Sequence, residues 1–192
     1  MAILFFDTET SDMIDRRRGP GPHQPHIVQL AALLVDAHEE SSLCTLVRPD
    51  GWTVAPGAQK VHGISTKRAA AEGVPLADAI AAFHDLARRA EMLVAHNIDF
   101  DRLVVLSEYV RLGRISPGMS GPPNPFAGKR EFCTMRASTD LVRLPGPYGF
   151  KWPSLQEAYR HFTGRDLDKA HDALADVRAC RAIYEAIVGR LD

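Results

Sequence analysis

The first third of the chain has the hydrophobic pattern of β-strands. Met1 to Phe6 is short, apolar and aromatic, which predicts a buried strand ending at the acidic segment of residues 7–10. Two further apolar runs, residues 27–36 and 42–48, are separated by a short polar segment and predict a hairpin. We therefore expect three neighbouring antiparallel strands.

Beyond residue 75 the pattern alternates between helix and strand. A helical period covers residues 76–86, a short buried strand is predicted over 92–95, and Asp99 is placed to cap a helix that runs to about residue 112. Residues 131–144 predict another strand and helix, and residues 145–153 are too rich in Pro and Gly to be regular.

Two capped helices are predicted for the last part of the chain. Ser154 is placed to cap the first, and Asp172 is placed to cap the second, from Ala173 to about Val188. The whole order of elements predicts an α/β fold, in which a mixed sheet of three antiparallel strands followed by alternating helices and strands is flanked by helices.

Composition and length indicate the number of domains and the cellular compartment. The 192 residues, 45% of them hydrophobic, suit one domain spanning residues 1–192. The longest nearly apolar stretch, residues 27–35, is far shorter than the roughly 20 residues of a membrane helix. Three scattered cysteines cannot form a disulfide framework, so we expect a reducing compartment, the cytoplasm.

The first candidate chemistry is the pair Asp7 and Glu9. They are two residues apart on a predicted strand, so their side chains project from the same face. Two adjacent anions repel each other unless a cation lies between them, and hard oxygen ligands suit Mg²⁺ or Mn²⁺ in phosphoryl chemistry. For this pair alone, a polar strand end without a metal is the favoured interpretation, because acidic pairs are common.

Two later polar segments are also candidates. His96, Asn97 and Asp101 follow a predicted strand and open a helix, a position where open sheets place functional groups, although helix capping explains part of this segment. His171 and Asp176 would lie about 140° apart on a continuous helix, so they share a target only if His171 precedes that helix. A loop histidine can accept a proton from water, but an exposed histidine needs no function.

Taken together, three segments resemble the exonuclease motifs of the DnaQ-like DEDD superfamily: residues 6–10 (FDTET), 96–101 (HNIDFD) and 171–176 (HDALAD). The H-x-x-x-x-D form is that of the histidine branch, often called DEDDh. Residues 61–65 (VHGIS) are similar to the V-H-G-I-T segment between the first two motifs. These landmarks follow the family's order from residue 6 to residue 176.

The resemblance implies a ribonuclease H-like fold and a 3′-to-5′ exonuclease that releases nucleoside 5′-monophosphates with two divalent cations, Mg²⁺ or Mn²⁺. Asp7 would bridge both cations, Glu9 and Asp176 would complete the first site, and Asp101 would serve the second. His171 would be the general base. Such a cation pair lowers the pKa of an attacking water and stabilises the departing 3′ oxygen.

The same resemblance implies five substrate contacts. Thr8 and Thr10 would lie near the terminal sugar, His62 and Asn97 would hold the last nucleotides, and Phe100 would stack on or wedge beside a base. A core anchor for its own helix is an equally open role for Phe100.

One segment departs from the family pattern. Where relatives have Thr-Gly after the first motif, this chain has a longer Pro-rich loop with Arg16, Arg17 and Arg18. The net charge of −1 gives no sign of nucleic-acid binding, so any basic surface must be local. These three arginines are a candidate site for a backbone phosphate, and a solvated surface loop is the alternative interpretation.

Substrate and partners are less determined. We expect the 3′ ends of nucleic acid as the partner, with single-stranded DNA favoured. An RNA or short-oligonucleotide exoribonuclease and a catalytically silent nucleic-acid-binding module are the alternatives, and the intact set of catalytic positions disfavours silence. The chain ends at Asp192 without a tail for polymerase attachment, which favours a stand-alone role in DNA trimming, repair or RNA end processing. A homodimer is left open.

Overall fold

A five-stranded mixed sheet forms the centre of the molecule. The computed structural model describes residues 1–116, 123–167 and 172–189. The strand order is β3-β2-β1-β4-β5, so β1 is the middle strand. The strands are β1 Ile3–Thr10, β2 Ile27–Val35, β3 Glu40–Leu46, β4 Met92–Ala95 and β5 Arg130–Cys133.

The pairing confirms the predicted sheet. β1 pairs antiparallel with β2, and β2 pairs antiparallel with β3. β4 and β5 add to the other side of β1 in parallel. β1 is longer than predicted, because its pairing with β2 continues through the acidic segment to Thr10. Asp7 and Glu9 therefore lie within the strand.

Seven α-helices accompany the sheet in the described part of the chain. They are α1 Pro56–His62, α2 Thr66–Glu72, α3 Leu76–Arg89, α4 Ile98–Arg111, α5 Thr134–Val142, α6 Leu155–Thr163 and α7 Ala173–Val188. A small hairpin, β6 Pro145–Gly146 and β7 Gly149–Phe150, lies within the segment predicted to be irregular. None of the described helices combines the length and the hydrophobicity that a membrane-spanning segment requires.

Alternate residues of β1 face two different helical layers. Phe6 packs with Phe83 of α3, with ring centroids 5.6 Å apart, and belongs to the cluster that includes residues of α4. Phe5 packs against Tyr184 of α7 at 5.5 Å on the other face. Full burial of each such ring stabilises the fold by about 1.5–3 kcal/mol. This alternation decides which β1 side chains can meet α4 and which can meet α7.

The helix caps agree with the sequence in two cases and not in a third. Ser154 forms a complete capping box with Glu157, and the Asp172 side chain accepts from the N–H of Ala175 at the start of α7. The predicted cap of α4 by Asp99 is wrong. Asn97 occupies that position in a left-handed conformation, φ 76° and ψ 52°, which asparagine tolerates better than most residues.

Two short helices between β3 and α3 were not predicted. α1 begins with Pro56 and ends before Gly63, whose φ of 73° is the left-handed conformation that glycine adopts without a steric penalty. The Ser65 side chain caps α2 by accepting from the N–H of Arg68 at 3.1 Å. Both helices are only seven residues long, so neither has a clear hydrophobic period.

Candidate active site

Three carboxylates converge where the end of β1 meets the start of α7. One oxygen from each of Asp7, Glu9 and Asp176 lies within 4.8 Å of the others. Asp7 and Glu9 share the face of β1 that packs against α7, and Asp176 projects from the first turn of that helix. The predicted convergence of these three residues is therefore present.

Burial and mutual repulsion make this group electrostatically unfavourable without a cation. Burial, followed by the charge of Asp176, raises the pKa of Asp7 to about 7. Burial, followed by the charges of Asp7 and Asp176, raises the pKa of Glu9 to about 9. Within the described residues, neither Asp7 nor Glu9 forms an ion pair with a lysine or arginine.

The spacing of the three oxygens suits a small divalent cation. Mg²⁺ binds oxygen at 2.0–2.1 Å in octahedral geometry, so opposite ligands are about 4.2 Å apart. The 4.8 Å limit within the group of Asp7, Glu9 and Asp176 is close to that separation. Carboxylate oxygens are also the ligand type that Mg²⁺ and Mn²⁺ prefer. The residues present therefore fit a divalent metal site.

Asp101 lies beside this group and is held by β1. Its side chain is 1% exposed and accepts from the Thr8 backbone N–H at 2.9 Å and from the Thr8 hydroxyl at 2.8 Å. Burial, followed by the charge of Asp7, raises the pKa of Asp101, and the two Thr8 hydrogen bonds oppose that rise. Thr8 thus fixes the orientation of Asp101 next to Asp7.

The second motif begins with a histidine, His96, whose two ring nitrogens both form hydrogen bonds. Pro153 offers its carbonyl, so His96 must donate to it from Nε2, at 3.0 Å. Nδ1 of His96 then accepts from the Thr134 hydroxyl at 2.9 Å. Burial lowers the pKa of His96 to about 4, in agreement with a neutral ring. His96 therefore ties the segment before Asn97 to α5 and to the residue preceding Ser154.

A second histidine connects the end of β1 to α1. The N–H of Ile64 donates to Nδ1 of His62 at 3.1 Å, so Nε2 carries the proton and donates to the Thr10 carbonyl at 3.2 Å. His62 is 8% exposed. It thereby fixes α1 against the strand that carries the acidic group.

A cavity of about 410 Å³ opens next to Glu9. Three of the predicted substrate contacts, Thr10, His62 and Phe100, line it. Its volume is within the range of roughly 300–1,000 Å³ that small-molecule sites occupy. Two others are placed differently: Thr8 is buried against Asp101, and Asn97 forms the turn into α4. The substrate roles of all five residues stay predictions.

The sequence did not identify one wall of this cavity. Ala58 and Val61 contribute to it from α1, together with Met13 from the loop after β1. Pro56 at the first helical position and Gly63 after the last are the asymmetry typical of helix ends, and they could have revealed α1.

His171, the predicted general base, lies outside the described residues. The helix that follows begins at Ala173, and its cap is Asp172, as predicted. Asp176 occupies the first turn, where the sequence placed it.

Comparison with known proteins gives a match over nearly the whole chain. The model of a family described as exonuclease matches residues 4–184. An uncharacterized exonuclease of Escherichia phage 186, CP81, is 27% identical over 188 residues, which cover 96% of this chain and 87% of the phage protein.

Solved structures of E. coli exonuclease I resemble the whole fold. A complex of that protein with a dT13 oligonucleotide has a TM-score of 0.73 at 22% identity and covers 99% of this chain but 42% of exonuclease I. A complex with a 5cy-dT13 oligonucleotide has a TM-score of 0.75 at 21% identity, over 98% and 41%. This chain thus spans about two fifths of exonuclease I. The likeness confirms the predicted ribonuclease H-like mixed sheet.

Proposed function

Since the chain belongs to the exonuclease family, we propose that it is a metal-dependent 3′-to-5′ exonuclease that removes nucleotides from single-stranded DNA ends and releases nucleoside 5′-monophosphates. The observation that carries the proposal is the convergence of Asp7, Glu9 and Asp176 within 4.8 Å. Such a crowded acidic group is unfavourable in a protein that only binds nucleic acid, because its charge would repel phosphate.

The acidic residues would hold divalent cations, Mg²⁺ or Mn²⁺. Asp7, Glu9 and Asp176 would hold the first, and Asp101 with Asp7 would hold the second. When bound, such cations lower the pKa of an attacking water and stabilise charge on the departing 3′ oxygen. A zinc-bound form of the complex of E. coli exonuclease I with single-stranded DNA supports a divalent cation in this fold.

The remaining residues would position the strand. Thr8 holds Asp101 in one orientation through two hydrogen bonds, so this carboxylate needs no rearrangement when substrate binds. The cavity beside Glu9 would receive the terminal nucleotide, with Phe100 against its base and Thr10 near its sugar. Asn97 would contact the same nucleotide from the turn into α4.

His171 would take the proton from the attacking water. It precedes Asp176 by five residues in the H-x-x-x-x-D motif, with the cap residue of α7 between them. A histidine is suited to this role because its ordinary pKa is near neutral pH.

Single-stranded DNA is the proposed substrate because of the structural relatives. E. coli exonuclease I has been solved in complex with dT13 and with dA16 oligonucleotides. Matched DNA and RNA strands degraded side by side would test this preference, and faster loss of the RNA strand would reassign the substrate while leaving the chemistry unchanged.

The direction of degradation is tested with a single-stranded DNA labelled at its 5′ end, incubated with Mn²⁺. We expect a ladder of progressively shorter labelled products and unlabelled nucleoside 5′-monophosphates. Release of the label as a mononucleotide in the first step would mean the opposite direction. Asp7→Asn should abolish the ladder, whereas Asp85→Asn, an exposed carboxylate on α3, should not change it.

A further inference from the structure

A groove of about 650 Å³ runs along α4 on the side of the loop that follows β1. Arg16, Arg17 and Arg18 of that loop line one wall, and Arg102 of α4 lines another. Apolar side chains, including Ile14 and Phe126, also line it, as do Asp99 and Glu131. The groove thus combines basic and apolar side chains with two carboxylates.

The loop that carries these arginines is built around one buried side chain. Gln24 is 2% exposed, and its side-chain oxygen accepts from the N–H of Asp15 at 3.0 Å. Its amide nitrogen donates to the carbonyl oxygens of Asp15 at 2.9 Å and Arg18 at 3.1 Å. A buried amide that is satisfied in this way fixes the backbone on both sides of the three arginines.

The same loop is fastened to α4. The N–H of Gly21 donates to the Ser107 hydroxyl at 3.2 Å. Arg111 donates to the carbonyl oxygens of Pro22 at 3.2 Å and Gln24 at 2.7 Å. The arginine wall is therefore held against the helix that also carries Asp101, and a freely solvated loop would need none of these contacts.

The three loop arginines differ from Arg102 in their ion pairing. Arg102 is shared between Asp99 and Glu131, each at 3.2 Å. For Arg16, Arg17 and Arg18, the described part of the chain provides no ion-pair partner. Three adjacent unneutralised guanidinium groups are a local surplus in a chain whose net charge is −1.

The groove and the cavity beside Glu9 are lined by neighbouring residues of two segments. Met13 lines that cavity, and the next residue, Ile14, lines the groove. Likewise Phe100 lines the cavity and the preceding residue, Asp99, lines the groove. The two openings therefore lie on neighbouring parts of the loop after β1 and of α4, and we infer that a strand leaving the cavity would next meet the groove.

We propose that the groove binds the phosphodiester backbone of the substrate strand upstream of its terminal nucleotide, through Arg16, Arg17 and Arg18. This proposal rests on the proposed function, since it takes the cavity beside Glu9 as the place of the 3′-terminal nucleotide. Guanidinium groups bind phosphate oxygens through paired hydrogen bonds, and they do so for any base sequence. The groove would therefore set the preference for long strands over short ones.

The test compares wild type with the triple variant Arg16→Ala, Arg17→Ala, Arg18→Ala on two substrates. We expect KM for a thirteen-nucleotide dT strand to rise roughly tenfold or more, because each lost phosphate contact weakens binding. The slope of log KM against log salt concentration should become shallower by about 2, at roughly 0.7 per phosphate for a single strand. Hydrolysis of the p-nitrophenyl ester of thymidine 5′-monophosphate, which is too short to reach the groove, should be unchanged.

Two controls separate charge from structure. Replacing Lys67, Arg68 and Arg88 by alanine removes the same charge from exposed positions on α2 and α3 and should leave KM for the long strand nearly unchanged. Replacing the three loop arginines by lysine should retain the salt slope, because the charges remain.

The outcomes also separate this proposal from the proposed function. If wild type and the alanine variant cleave both substrates with equal KM and equal salt slope, the groove does not bind the substrate backbone and the proposal is wrong. If wild type cleaves neither substrate, the exonuclease assignment itself fails. Binding of a 5′-labelled dT strand, measured by fluorescence anisotropy without metal, would still show whether the arginines hold the backbone.

Discussion

Helix α4 carries two buried carboxylates, two turns apart on one face, and their surroundings differ in one respect. Asp101 is 1% exposed and Glu108 is 0% exposed. Each accepts a backbone N–H from a neighbouring strand at 2.9 Å, Asp101 from Thr8 and Glu108 from Ile27. Glu108 is then paired with Arg111 on the same helix, whereas the neighbouring charge that raises the pKa of Asp101 is that of another carboxylate, Asp7.

This difference separates a structural carboxylate from one that we propose to be functional. Burial raises the pKa of Glu108, but the Arg111 charge and the Ile27 N–H oppose that rise. Burial also raises the pKa of Asp101, and there the neighbouring charge of Asp7 adds to the rise. The Glu108 end of α4 therefore contains its own cation, whereas the Asp101 end collects further carboxylates, a grouping that a bound divalent cation would stabilise.

The largest expected effect is on activity at the Asp101 end. Asp7→Asn should lower kcat/KM for a DNA strand by about 10³-fold or more, because the loss of cation binding removes several kcal/mol of transition-state stabilisation. The same change should raise the melting temperature of the metal-free protein, since one repelling charge is removed. A variant that is as active as wild type, or less stable without metal, would contradict the comparison.

The next effect is on stability at the other end. Glu108→Gln should lower the free energy of unfolding by about 2–4 kcal/mol, because Arg111 is left without its buried partner. Urea denaturation measures this loss. Glu72→Gln, which breaks the exposed pair with Arg68, should cost about 0.5 kcal/mol or less. Equal losses in the two variants would mean that the buried pair contributes no more to the free energy of unfolding than the exposed pair.

Cation binding should stabilise the protein through the carboxylates at the Asp101 end of α4, and it should not depend on Glu108. At a Mn²⁺ concentration about 100 times the dissociation constant, the free energy of unfolding should rise by about 2.7 kcal/mol. Thermal melts with and without Mn²⁺ measure it. Glu108→Gln should keep this increment although its starting stability is lower, and Asp7→Asn should lose most of it. An undiminished increment in Asp7→Asn would place the cation elsewhere.

The smallest expected effect is an acid sensitivity near Glu108. Burial, followed by the Arg111 charge, lowers the pKa of His26 to about 4, so the contact of its ring with Glu108 is not an ion pair at neutral pH. In the unfolded chain a histidine has a pKa of about 6.5. Between these values the unfolded state binds more protons, so stability is lost as pH falls from 6.5 towards 4.

His26→Gln removes this titration. The loss of unfolding free energy between pH 7 and pH 5 should be smaller than in wild type by about 1 kcal/mol, a value discounted for the partial exposure of the ring. Denaturation curves at both pH values measure the difference. His38→Gln, at an exposed position, is the matched control, and an identical pH dependence in the His26 variant would refute the assigned shift.

Much of this arrangement follows from local sequence signals. The period of two around Asp7 and Glu9 predicts their common face, and the caps Ser154 and Asp172 fix the starts of the last two helices. Because these features depend on residues that are close in sequence, contacts with distant segments do not change them. The mixed sheet follows from the order of elements, and the solved structures of exonuclease I confirm its class.

Other features depend on contacts between distant segments. The extension of β1 to Thr10 results from pairing with β2, and the left-handed turn at Asn97 replaces the cap expected from Asp99. The wall of the cavity from α1 depends on His62 reaching Thr10, 52 residues away in sequence. The hydrophobic periodicity of a segment carries no information about its contacts with distant segments. The acidic group was therefore predictable from the sequence, and the cavity beside it was not.

The use of both faces of β1 determines when the proposed site can assemble during synthesis. Thr8 meets Asp101 on one face, and Asp7 meets Asp176 on the other, so the site joins segments that leave the ribosome far apart in time. Domains generally fold as units, and synthesis adds roughly 5–20 residues per second, so β1 is made well before α7. A nascent chain from which α7 has not yet emerged lacks one carboxylate of the group, so we expect the proposed cation site to form only when synthesis is nearly complete.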